Sequence, residues 1–140
     1  MFAAFPLLAL PVLVYNLALL TMRGGLNSLD APAQLASPLF SIHMTSGGVW
    51  PVTAGDLYLG AALVVMFVEL LKSTNSRNVA IINHSLSMIL FVACLVEFLL
   101  LKGFATSVFF LITLMVLLDV LAGFIVTIVS ARRDIDLHDA

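Results

Sequence analysis

Charge is what this chain has least of. Lys, Arg, Asp and Glu make up 10% of its 140 residues, against about 25% in soluble domains. Hydrophobic residues reach 62%, where soluble domains hold about 45–50%, and the mean hydropathy is +1.17. These values exclude a water-soluble globule. The net charge of −2 offers no cationic surface to a polyanion, so nucleic acid is excluded as a partner. Cysteine occurs once, as Cys94, which excludes an internal disulfide framework and a cysteine-rich metal site. Within an apolar run Cys94 reads as a small buried hydrophobe. No Lys or Arg precedes Arg23, and the nearest Ala-x-Ala, at Ala31 and Ala33, lies far beyond the first apolar run. A cleaved signal peptide needs a basic start and a small-residue site close behind its apolar core, so the first run is read as a retained helix.

Long apolar runs are what the chain has in abundance. About 20 apolar residues cross a hydrocarbon core of about 30 Å. Residues 2–20, 56–72, 79–101 and 107–131 meet or approach that length. The fold class expected is an all-α membrane protein: a four-helix transmembrane bundle forming one domain over 1–131, with a charged, frayed cytoplasmic tail over 132–140. Pro6 is early enough for a first turn, but Pro11 is expected to kink the first span, because proline lacks a backbone N–H. The second run is short, and Lys72 can extend it by reaching toward the headgroups. The polar connector 73–78 is brief, which makes the second and third spans antiparallel neighbours.

Residues 21–55 form an external loop. Gly24, Gly25, Pro32 and Pro38 argue against a long helix there. Phe40, Ile42 and Met44 alternate with Ser41, His43 and Thr45, and Gly47-Gly48 precedes a second alternating stretch. Alternation on both sides of a Gly-Gly turn predicts a β-hairpin over 39–53. Pro51 confines the second strand to an edge, and Trp50 suits the level of the lipid headgroups. Asp56 is placed to cap the second helix. With four spans, Lys72, Arg77, Arg132 and Arg133 share one side, and Arg23 and Lys102 the other. That asymmetry favours both termini in the cytoplasm, with the loop 21–55 outside.

The string SGGVWPVTAGDLYLGAALVVMFVELLKST combines a hairpin, Gly-Asp opening a helix and Glu-Leu-Leu-Lys closing it. It resembles a pattern in small uncharacterised four-span bacterial inner-membrane proteins. The likeness extends through the third and fourth spans. It implies the four-span architecture and brings no function with it.

Against this apolar background the polar residues stand out. Asp119 lies near the middle of the fourth run, where a charge costs on the order of 2.5–3.5 kcal/mol even on lenient scales. It heads a small-and-polar stripe with Gly123, Thr127 and Ser130, of the kind that lets membrane helices approach closely. In the third run Asn83, Ser87, Cys94 and Glu97 share one helical face, with His84 beside it. Depth counted along the helices brings Asn16, Ser87 and His84 within reach of Asp119. Glu97 is expected nearer the outer boundary, and Glu69 to pair with Lys72 at the inner one.

Three roles fit such a cluster. It can be glue between helices, an ionisable relay through Asp119, His84 and Glu97, or a face completed by a partner protein. His43, His84 and His138 are spread over loop, span and tail, and no His-x-x-x-His, Gly-x-Ser-x-Gly or phosphate loop occurs. The expectation is therefore a protein with no enzymatic activity, metal or cofactor. It would be an accessory, assembly or scaffold subunit among lipid and other membrane subunits or copies of itself. The alternative is a small proton- or cation-coupled transporter or channel using Asp119.

Overall fold

A computed structural model describes residues 5–72 and 77–138, with side chains excepted at 77–81, 126–127 and 130–138. In chain order these residues form α1 (Ala9–Thr21), α2 (Ala31–Leu35), β1 (Pro38–His43), β2 (Val49–Thr53), α3 (Ala54–Lys72), α4 (Arg77–Leu100) and α5 (Ser107–His138). Single 3-10 turns occupy Gly25–Asn27 and Lys102–Phe104. The tight connector expected over 73–78 falls mostly outside the described residues; its last two positions open α4.

Three stretches are long and apolar enough to cross a membrane: Ala54–Lys72, Ile82–Leu100 and Ser107–Ile125. The expectation of four such helices is corrected at α1, which has 13 residues and so rises about 20 Å. Proline is the reason. Helix formation starts at Ala9, so Pro11 falls in the first turn, where backbone N–H groups have no internal partner and none is missed. The expected kink is thereby replaced by a late start. The Leu7 carbonyl, which Pro11 cannot serve, accepts from the Leu10 N–H at 2.9 Å.

The hairpin is present, as an antiparallel pair with Phe40 opposite Val52 and Ile42 opposite Trp50. Gly47 in its turn has φ 84°, a left-handed conformation that glycine enters without strain. Asp56 is not the helix cap expected of it. α3 begins two residues earlier, and Thr53 and Asp56 bond reciprocally: the Asp56 N–H donates to Thr53 Oγ1 at 3.1 Å, and the Thr53 N–H to Asp56 Oδ2 at 2.9 Å. This is a capping box, which satisfies two donors at once. Helix α5 runs on to His138 where fraying was expected from Arg132, since no Pro or Gly follows Gly123 to stop it.

The core lies between the helices. Leu8 ahead of α1, Val12, Tyr15 and Leu19 of α1 and Phe109, Ile112 and Val116 of α5 are buried together with Ala62, Cys94 and Phe104. Outward faces of α3 and α4, such as Val64, Phe67, Ile89 and Leu99, are exposed apolar surface.

Candidate functional site

Asp119 is 2% exposed and faces α4, from which Ser87 Oγ donates to its Oδ2 at 2.6 Å. The residue lies twelve positions into α5, about 18 Å from the helix start. His84 is one turn from Ser87. Its ring occupies the place where a side chain at residue 123 would stand, so Gly123 is what lets it pack against α5. His84 Nε2 is buried and has no hydrogen-bond partner among the described residues. His84, Glu69 and Lys72 are close enough to act on Asp119 electrostatically. The remaining stripe residues Thr127 and Ser130 lie outside the described side chains.

Glu69 is fully buried, whereas a pair at the membrane boundary was expected. Lys72 does meet it, at 3.2 Å. Two further donors pull the carboxylate inward: Asn83 Nδ2 of α4 and the Leu7 N–H ahead of α1, each at 2.5 Å. Lys72 also donates to the Phe5 carbonyl and to Asn83 Oδ1. One acid therefore joins three segments that are remote in sequence. The turn leading into α1 arrives at Glu69 because the helix starts late, and that start was not legible from hydropathy.

Asn16 belongs to another pair. Its Nδ2 donates to Glu97 Oε2 at 3.3 Å and to the Val12 carbonyl at 3.1 Å. Distance from the helix ends explains this correction. Asn16 is five residues from the end of α1 and Glu97 three from the end of α4, so the two lie at similar height.

At the end of the bundle where α3 and α5 begin, sequence reasoning missed a second network. Tyr15 is 4% exposed. Its hydroxyl donates to the Gly103 carbonyl at 3.1 Å and meets Thr106 Oγ1 at 2.7 Å. Thr106 also caps α5, accepting from the Phe109 N–H at 3.1 Å. The Tyr15 ring packs on Tyr58, Phe104 and Phe109, with centroids 6.1, 5.5 and 4.9 Å away. The available signal was the phenol itself, since a Tyr hydroxyl inside an apolar run needs a partner. A groove of about 440 Å³ opens at this end between α2, α3 and α5, lined by Pro32, Asp56 and Ser107 among others. It contains none of Asp119, His84, Ser87 or Glu69.

Among the described residues no three His, Cys, Asp or Glu side chains gather as metal ligands would. Among the described residues the arrangement consists of acids held by amides, a hydroxyl and one ammonium group, with the His84 imidazole packed on α5 at Gly123. No family model, curated protein or solved structure matches this chain.

Proposed function

We propose that this chain is a non-catalytic integral protein of the inner membrane, an accessory, assembly or scaffold subunit that sits among lipid and other membrane subunits or further copies of itself. One observation carries the reading. Glu69, Glu97 and Asp119 each accept a hydrogen bond from a different helix or the segment leading into it. Acids used this way hold helices in register, which is the ordinary use of polar groups between membrane helices. In this reading the chain crosses four times with both termini cytoplasmic. The fourth crossing is α1 together with residues 5–8. Support comes from its two ends: Leu7 reaches Glu69 near the finish of α3, and Tyr15 reaches Thr106 at the start of α5.

The test is affinity purification of the tagged chain from native membranes in mild detergent. Stoichiometric membrane companions or a defined oligomer are expected. Recovery as a lone monomer that carries ions in proteoliposomes would overturn the reading. Reporter fusions after Ala140 and within residues 31–37 should give opposite readouts; matching readouts would overturn the topology.

A second reading is a proton- or cation-coupled transporter or channel using Asp119. The buried Nε2 of His84, without a hydrogen-bond partner among the described residues, together with its electrostatic coupling to Asp119, favours it. Intramembrane acids and histidines mark such pathways elsewhere. Two substitutions separate the readings. For a scaffold, Asp119→Asn keeps the Ser87 contact and is nearly silent, while Asp119→Leu strands Ser87 at a cost of about 1–3 kcal/mol. For a relay, Asp119→Asn leaves expression and thermal stability intact and abolishes flux.

A further inference from the structure

The hairpin β1–β2 has two faces of unlike character. Residues paired across an antiparallel ladder share a face. Phe40, Val52, Ile42 and Trp50 therefore lie on one side, and Ser41, Pro51, His43 and Val49 on the other. At the base of the apolar face Val52 is 3% exposed, pressed into the protein. Farther out Phe40, Ile42 and Trp50 are 50%, 40% and 46% exposed, with Met44 beyond them. The same face is thus buried at its root and uncovered farther out.

Formal charge is absent from this region: no Asp, Glu, Lys or Arg occurs between Asp30 and Asp56. Hairpins standing in water protect their edges with charge, Lys above all. Among the described residues the sheet has two strands only, and neither edge has that protection.

Chain continuity sets the height of the hairpin. β2 ends at Thr53 and α3, apolar enough to cross a membrane, begins at Ala54. The Thr53–Asp56 box stiffens the joint, and the Ala54 N–H donates to the Ser37 carbonyl at 3.2 Å, tying in the other strand. Open strand edges are not found in hydrocarbon, because their outward N–H and C=O groups need water. A Trp ring is most at home between the two, at the headgroup level.

We propose that the Phe40–Ile42–Met44–Trp50 face lies against the lipid headgroup region of the outer leaflet and anchors the hairpin to the membrane surface. The occupant of this face is lipid. The proposal rests on α3 crossing the bilayer as described above. It gives the external segment a role of its own, which is to hold the mouth of α3 and the groove beside it at a fixed height.

Trp50 is the single tryptophan of the chain, so the emission of the unaltered protein reports on this face alone. The protein is reconstituted in phosphatidylcholine vesicles, with bromine placed either near the carbonyl end or near the methyl end of the acyl chains. Blue-shifted emission is expected, strongly quenched by the shallow bromine, weakly by the deep one and little by iodide on both sides of the membrane. The quenching should persist on dilution with lipid. Iodide quenching without bromine quenching would overturn the proposal, because the face would then stand in water. Protection from both quenchers would overturn it too. If that protection fades on dilution, a second copy covers the face; if it persists, the chain itself does. A control separates this from failure of the membrane reading. In a Trp50→Phe background, Leu63→Trp on the exposed side of α3 should be quenched by the deep bromine. If it is quenched there while Trp50 is not quenched by the shallow bromine, the hairpin proposal alone fails.

Discussion

The two ends of the bundle are held together by different chemistry. Where α3 finishes, a single buried carboxylate gathers an ammonium group, an amide and a backbone N–H around it. Where α3 begins, aromatic rings stack around Tyr15, and one phenol hydroxyl bonds to the residue that caps α5. The first arrangement is directional, and it loses a great deal when one member is removed, because the others remain buried and unpaired. The second is spread over many weak contacts, each small and all redundant. A membrane bundle lacks the hydrophobic drive that assembles soluble cores, so packing and interhelical bonds must do that work. This chain uses one kind at each end.

The comparison can be broken most forcefully at Glu69. Glu69→Leu strands the Asn83 amide N–H and the Leu7 N–H and takes the carboxylate away from Lys72, and should cost about 3–5 kcal/mol. Thermal unfolding in detergent, alongside membrane expression, reads this. Glu69→Gln retains an acceptor and should cost clearly less. A Glu69→Leu protein as stable as the parent would show that the carboxylate does not hold that end.

A smaller effect is expected at the opposite end. Tyr15→Phe keeps the ring contacts and removes only the hydroxyl bonds to Gly103 and Thr106, for about 1 kcal/mol. The same unfolding assay applies. A loss as large as that of Glu69→Leu would mean that this end too depends on one polar group, and the contrast would collapse. Between the ends, Asn16→Leu removes one amide-to-carboxylate contact, for about 0.6 kcal/mol, the average of such bonds in membranes. If its effect matched that of Glu69→Leu, the α1–α4 contact at Glu97 would be a third anchoring point.

Glu69 and Tyr15 also mark where sequence reading stops. Glu69 three residues before Lys72 was visible as a pair, but its depth was not. Depth depended on residues 5–7 folding back onto the end of α3, which followed from helix α1 starting between Pro6 and Pro11. Asn16 meets Glu97 and not Asp119 because both lie close to the finishing ends of their helices. Tyr15 offered less still. Its partners lie 88 and 91 positions along the chain, and no local periodicity reports a contact at that separation. Ser87 and Asp119 were legible together because both sit inside long uninterrupted helices, where counting residues measures height well.

By itself the sequence pointed to a membrane-like helical protein with four apolar runs, of which three are long apolar helices in the structure, and to a hairpin between the first run and the second. Both follow from local rules: an apolar run of sufficient length has to satisfy its backbone within a helix when water is absent, and alternation around Gly47-Gly48 suits a strand pair. Only the tertiary structure decided which acid meets which donor, where α1 begins, that Thr53 shares the cap with Asp56, and that His84 rests on Gly123. The acid–donor pairs and the seat of His84 are contacts between segments far apart in the chain. They depend on how helix faces rotate and slide against one another, and packing settles those two freedoms where composition and periodicity leave them open.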